Sequence, residues 1–357
     1  MLYFLIKVII INKGLKMEVL AWMSEKKSNN KVLCKACNQR CVLNINEVGK
    51  CGIRKVKEDG NLYLTTYGLA AAYNVDPVEK KPLFHFLPST PIFSIGTVGC
   101  NFSCKFCQNW EISQYPQTHN GEVFGKTLMP ETVVNICKTY GIPSIAYTYN
   151  EPVVFFEYAY DTMKLANENG IKNVFVSSGY ETKEALETLA PYLDAMNIDL
   201  KAFSDRFYRE ICGSRLKPVL KTIEHAYKLG IWIELTTLII PNENDSPKEL
   251  KELANFIASI DKNIPWHISR FFPAYKMLDK PPTPIETLKI AYEIGKEAGL
   301  NYVYVGNFDD EDRESTYCPN CGFKVIERRG HIGQYVKNNL IDGKCPKCNT
   351  EIAGVWK

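Results

Sequence analysis

After residue 54 the chain alternates apolar runs of five to eight residues with longer amphipathic stretches, the rhythm of strand followed by helix. The runs at 92–98, 144–149, 173–177, 195–200, 232–239, 266–272 and 302–305 predict strands. They are too short, and too closely bounded by turn residues, to be buried helices. Between them the segments 130–140, 153–169, 182–189, 217–229, 247–260 and 284–298 carry helical periodicity, with Pro or Ser at several starts. Gly141, Gly170, Gly230 and Gly299 follow four of these helices as C-terminal stops. Repeated strand then helix implies a parallel sheet with right-handed crossovers. The expected class is α/β, a partial (βα)6 barrel of TIM type with ligands at the C-terminal ends of its strands. A doubly wound open sheet fits the same rhythm and places ligands at the same ends.

The flanks break the rhythm. Segments 31–60 and 315–357 are short and polar and hold clustered cysteines, which predicts small metal-stapled modules on either side of a core at 85–310. Residues 1–30 read as an extension. Its apolar run from Leu2 to Ile11, broken by Lys7, is about half the roughly 20 residues needed to span a bilayer. No small-residue cleavage site follows, and Lys13, Lys16, Lys26 and Lys27 come after the run rather than before it, which argues against a signal peptide. A start called too early, with Met17 or Met23 the true one, explains the run equally well. The expected location is cytoplasmic, with no membrane partner.

Composition sharpens part of this picture. The 357 residues hold 45% hydrophobic side chains, enough for one large core domain, and exclude disordered and fibrous classes. Lys and Arg number 43 against 40 Asp and Glu, a net charge of +3, so charge argues for neither nucleic acid nor membrane. The 13 cysteines are the exception to this silence: 11 fall into groups of four, three and four. Such spacing points to metals in a reducing compartment rather than disulfides. Cys137 and Cys212 stand outside the groups and read as ordinary buried thiols.

The central group, Cys100, Cys104 and Cys107, lies just after the first strand of the core with x3 and x2 spacing. Three thiolates on one tight loop can hold three irons of a 4Fe-4S cluster and leave the fourth iron open for chemistry. The competing reading is a zinc site completed by His119. The Cys-x3-Cys-x2-Cys run, with the aromatic Phe106 before its last cysteine, resembles the radical S-adenosylmethionine (SAM) superfamily. That resemblance implies a 4Fe-4S cluster, SAM chelated at the open iron, and cleavage to a 5'-deoxyadenosyl radical. It also implies a low-potential electron donor, flavodoxin or ferredoxin.

The later motifs follow in order. Tyr147-Thr-Tyr-Asn-Glu-Pro152 ends the second strand, where relatives of the pyruvate formate-lyase activating enzymes carry a Glu-Pro motif that binds the SAM amino group. The resemblance assigns Asn150 and Glu151 as acceptors; a polar turn with Pro152 opening a helix is the plainer alternative. Ser178 ends the next strand and joins the expected SAM contacts. An Asp-x-Lys pair at Asp199 and Lys201 carries over as the approach to the SAM carboxylate, against the alternative of an internal ion pair at a barrel rim. An aspartate that accompanies this pair in some activases falls at Val176, which puts any cation site built from two carboxylates in doubt. In the strand Trp266-His-Ile-Ser-Arg-Phe-Phe-Pro273, Arg270 and His267 point to opposite faces. A buried charge needs a partner, so either residue should meet an anion, a carboxylate or substrate, and both are catalytic candidates.

Cys34, Cys37, Cys41 and Cys51, spaced x2, x3 and x9, suit a structural zinc or an auxiliary iron-sulfur cluster, and spacing does not decide between them. Cys318, Cys321, Cys345 and Cys348 form two Cys-x2-Cys knuckles that match a zinc ribbon. Together these motifs resemble the AmmeMemoRadiSam-system radical SAM proteins, relatives of the pyruvate formate-lyase activating enzymes, over residues 31–310. The resemblance leaves the substrate open. It is compatible with a glycyl radical enzyme as protein substrate, with RNA modification guided by the ribbon, and with a metal-binding scaffold of no activity.

Overall fold

A computed structural model describes residues 18–330 and 334–357. The apolar run from Leu2 to Ile11 and the start at Met17 lie outside the described residues. The chain divides into two compact units. The first comprises the residues up to Asp76 together with Ile92–Ser103 and Cys107–Asp194; the second comprises Pro77–Pro91, Cys104–Phe106 and Ala195–Lys357.

In the first unit, strands β1 (Ala72–Pro77), β2 (Pro91–Gly96), β3 (Ser144–Tyr147) and β4 (Lys172–Ser177) lie side by side in that order. Strand β3 runs parallel to both neighbours, with Ser144 opposite Ile92 on one side and Lys172 on the other. Helices α1 (Pro130–Tyr140), α2 (Phe156–Glu168) and α3 (Lys183–Leu189) connect and cover them. Pro130 opens α1 with a fixed φ and no N–H to waste. Gly141 closes it at φ 62° in the left-handed region. Thr182 caps α3 by accepting from the Ala185 N–H.

The N-terminal part of this unit is wider than its cysteines suggest. Val19–Leu20, Leu62–Leu64 and Arg54–Val56 form one small antiparallel sheet, and Ser24–Lys26, Val32–Cys34 and Val42–Leu43 another. A buried ion pair ties it to α2: Arg54 Nη2 and Nη1 donate to Glu157 Oε1 and Oε2 at 2.7 and 2.9 Å.

The second unit repeats the theme with β5 (Ala195–Asp199), β6 (Trp232–Ile239), β7 (Trp266–Arg270) and β8 (Val303–Gly306), all parallel and adjacent in order. Helices α4 (Leu216–Lys228), α5 (Pro247–Ile260) and α6 (Ile285–Glu297) alternate with them. The register sets Asp199 beside Thr236, Thr236 beside His267 and His267 beside Tyr304, so these four share one face. Trp266, Ile268 and Arg270 lie on the other.

The C-terminal segment adds a three-stranded antiparallel sheet of Thr316–Tyr317, Lys324–Arg329 and Tyr335–Asn338. It shares an apolar core with the start of β8, in which Cys318, Val325, Ile326, Cys345 and Ile352 pack with Phe84, Tyr302 and Tyr304. Buried Arg328 fastens it further, donating from Nη2 to the Phe84 carbonyl at 2.7 Å with its guanidinium 4.1 Å from that ring. Among the described residues no helix is long and apolar enough to cross a membrane.

Candidate functional site

The cysteine loop follows β2, and in the first unit backbone contacts shape it. The Phe102 N–H donates to Cys100 Sγ at 3.4 Å, and Cys107 Sγ lies 3.3 Å from Ser113 Oγ. Gln114 Nε2 donates to the Phe102 carbonyl at 3.0 Å, and Asn109 Nδ2 to that of Tyr149 at 2.9 Å. The Gln108–Gln114 stretch thus folds back on the loop. His119, the proposed fourth ligand of a zinc site, instead stacks on Tyr115 with ring centroids 3.9 Å apart and is exposed.

Asn150 sits at the turn after β3. Its Nδ2 donates to the Gly99 carbonyl at 2.6 Å and to Thr97 Oγ1 at 3.2 Å, while its Oδ1 is buried with no partner. The preceding residue, Tyr149, is held at φ 73°, a conformation that costs a bulky residue energy and that clusters at functional sites. Gly96 closes the other wall: a Cβ there would strike the Thr148 carbonyl and lie 3.1 Å from Asn150 Oδ1. An acceptor stranded beside the bare backbone of Gly96, with its own amide tied to the residue before Cys100, fits an ammonium group. Glu151 is used differently. Its oxygens accept from Ser177 Oγ and the Ser178 N–H, both at 2.8 Å, so it braces the ends of β3 and β4 and presents Ser178.

In the second unit, Lys201 Nζ lies 2.7 Å from Asp199 Oδ2 and 5.8 Å from the centre of the Phe106 ring, which packs 6.0 Å from Phe207. Burial works to lower the Lys201 pKa, but Asp199 and the thiols of Cys104 and Cys212 outweigh it and hold the ammonium well above its ordinary value. Cys212 is the residue that sequence reasoning set aside. It stands beside Cys104 and draws that thiol's pKa down, while burial drives its own up. The intervening 107 residues leave no local signal of this meeting.

The structure separates the two late candidates. His267 Nε2 lies 2.7 Å from Glu234 Oε2, and its ring faces Phe84 edge-on at 4.7 Å. It borders a pocket lined also by Thr236, Ser269, Glu79 and Arg328. Arg270, on the opposite face of β7, donates from Nε to the Thr283 carbonyl at 2.8 Å and lies over the Phe272 ring at 5.0 Å. Glu234, which the sequence did not single out, is the hub here. It also accepts from the Phe84 and His85 N–H groups at 2.9 and 2.8 Å and from Trp232 Nε1 at 3.1 Å.

The four C-terminal cysteines form a ready metal site. Their Sγ atoms all lie within 4.8 Å of one another, with Cys318 to Cys348 at 3.5 Å and Cys321 to Cys345 at 3.6 Å. Four thiolates at about 2.3 Å from one tetrahedral ion stand about 3.8 Å apart, close to this spacing.

Residues 94–257 match the Radical SAM superfamily. An uncharacterized protein of Methanocaldococcus jannaschii is 44% identical over 333 residues, 93% of this chain and 98% of its own length. A putative glycyl-radical enzyme activating enzyme of the same organism is 26% identical over 58% of this chain and 76% of its own. The pyruvate formate-lyase-activating enzyme of Clostridium pasteurianum is 26% identical over 45% of this chain and 67% of its own.

Proposed function

The chain belongs to the radical SAM superfamily, in its pyruvate formate-lyase activase-like part, and from that premise we propose that it cleaves SAM reductively and uses the radical to take hydrogen from a substrate. Cys100, Cys104 and Cys107 would hold a 4Fe-4S cluster, and that cluster would supply the single electron that breaks the C5'–S bond of SAM and releases methionine. The barrel reading, (βα)6, and the AmmeMemoRadiSam branch belong to the same proposal.

The observation that carries it is the stranded Asn150 Oδ1, a buried acceptor held next to the cluster loop by its own amide's bonds to Gly99 and Thr97. In this reading Asn150 accepts from the SAM ammonium and Ser178 adds a polar contact at the adjoining strand end. Lys201, fixed by Asp199, supplies countercharge to the SAM carboxylate, and Phe106 shields that ion pair from water. His267, locked by Glu234, orients substrate in the pocket it borders. Arg270 serves the packing of β7 rather than chemistry. Zinc in the C-terminal site holds the last segment against the barrel strands.

Adding SAM to the reduced, reconstituted protein tests this reading: the electron paramagnetic resonance signal of the cluster should shift, and the shift should be lost in Cys104→Ala. An unshifted signal at saturating SAM would overturn it. Glycyl-radical activation is the second reading, favoured by the two relatives named for that activity, and it predicts a protein radical when a candidate partner enzyme is supplied.

A further inference from the structure

The N-terminal cysteines differ from the C-terminal ones in the spacing of their sulfurs. Among the described residues, the close mutual spacing that suits a single ion is found at Cys318, Cys321, Cys345 and Cys348 and not at Cys34, Cys37, Cys41 and Cys51. The N-terminal four instead line one pocket together with Ala36, Arg54, Asn101 and Val154. A cubane of four irons and four sulfides spreads its thiolates farther apart than one tetrahedral ion does, and it needs room at the centre.

Two further wall residues point to the occupant. Arg54 and Asn101 line this pocket and are 2% and 0% exposed; the Arg54 Nε is buried without a hydrogen-bond partner, and the Asn101 side chain hydrogen-bonds Cys37. Their remaining polar atoms are spoken for or turned elsewhere, as with the Arg54 Nη groups on Glu157. Stranded buried donors are costly unless an acceptor completes them. Thiolate sulfur accepts such bonds around either metal; bridging sulfides add acceptors that a lone zinc lacks, and hydrogen bonds to cluster sulfur are a recognised lever on reduction potential. Gly49 adds space: a Cβ there would stand 3.8 Å from both Cys41 Sγ and Cys51 Sγ.

We propose that Cys34, Cys37, Cys41 and Cys51 hold a second 4Fe-4S cluster, in electronic contact with the one on the Cys100 loop. The contact follows from how the module is built in. A Cβ on Gly99 would lie 2.5 Å from the Cys51 carbonyl, and Gln39 Nε2 donates to the Asn101 carbonyl at 2.8 Å. Gln117 Nε2 spans the Lys50 and Cys100 carbonyls at 3.0 and 3.4 Å. The backbone of Cys51 and that of the Cys100 loop therefore touch. An electron taken by the N-terminal cluster from a low-potential one-electron donor has a short path to the loop cluster, which is reduced as the first is reoxidised. The contact rests on the functional reading above; the N-terminal cluster does not.

The full chain, reconstituted anaerobically, is analysed for iron, sulfide and zinc. Wild type should carry about eight irons and one zinc, and the Cys100→Ala/Cys104→Ala/Cys107→Ala variant about four irons and one zinc. The zinc reports that the C-terminal site, and so the fold, is intact. The variant's reduced signal should ignore SAM, and the fully reduced wild-type spectrum should show splitting from coupled spins. About four irons and two zincs in wild type, or an iron-free triple variant, would overturn the second cluster. Eight irons with an uncoupled spectrum would overturn the contact alone, and loss of the SAM effect in wild type would overturn the functional reading alone.

Discussion

Replacing Glu234 by Gln tests the second unit's buried hub at a single atom. The carboxylate is fully buried. Burial works to raise its pKa, but the His267 hydrogen bond, the two imidazoles and the Phe84 N–H hold it below the usual range, so it is charged at neutral pH. Each oxygen serves two donors: Oε1 takes the His85 N–H and Trp232 Nε1, and Oε2 the Phe84 N–H and His267 Nε2. Glutamine keeps one such oxygen. Its NH₂ is best placed toward His267, whose Nε2 accepts in one tautomer, which leaves the Phe84 N–H facing a donor. A stranded buried N–H costs about 1–3 kcal/mol, and loss of charge weakens the remaining bonds by roughly 1 kcal/mol. The expected loss is about 2–4 kcal/mol, large against a total of about 5–15 kcal/mol. Urea unfolding of the zinc-loaded protein at pH 7.5 measures it, with Trp232→Phe, a half-buried single bond, expected at about 1 kcal/mol. Hydrogen exchange should quicken at Phe84 and His85. A loss below about 1 kcal/mol with unchanged protection there would refute the reasoning.

Three further outcomes follow from the geometry. Asn150→Ala should weaken SAM binding roughly ten- to hundredfold, the worth of a hydrogen bond to a charged group, with iron content unchanged; an unaltered Kd would remove Asn150 from the site. His85 donates from Nδ1 to the Ala353 carbonyl at 2.7 Å and accepts at Nε2 from Tyr304, and burial pushes its pKa down to about 4. The unfolded chain then binds the extra proton between about 6.5 and 4, so stability is lost as pH drops through that window, by about 3 kcal/mol; His85→Asn should flatten that slope in parallel urea titrations, and equal slopes would contradict the assignment. Gly96→Ala drives a methyl into the Thr148 carbonyl and should cost about 1–3 kcal/mol in thermal unfolding while weakening SAM, whereas a change within about 0.5 kcal/mol would mean that the wall yields.

Periodicity made most of the fold legible. The apolar runs at 92–98 and 232–239 and the amphipathic stretch at 130–140 appear as β2, β6 and α1 with nearly the expected limits. The segment 153–169 begins as a 3-10 turn, Pro152–Phe155, before α2 continues it. Strand β1 went unseen because Ala72–Pro77 has neither an apolar run nor clean alternation. At the site, spacing revealed the cysteine groups and the Asp199–Lys201 pair, since both are local. What stayed hidden depends on distant meetings: Cys212 with Cys104, and Glu234 with backbone amides about 150 residues earlier. A lone Glu in an apolar strand announces that it must be satisfied, but not by what. The same limit kept the N-terminal cysteines ambiguous, because the pocket and its stranded donor exist only in three dimensions.

The central claim is most directly tested by measuring 5'-deoxyadenosine formed from SAM by the anaerobically reconstituted, dithionite-reduced chain beside Cys104→Ala. Product from the first and none from the second is the predicted result. Product from neither, with intact clusters and candidate substrates supplied, would contradict it.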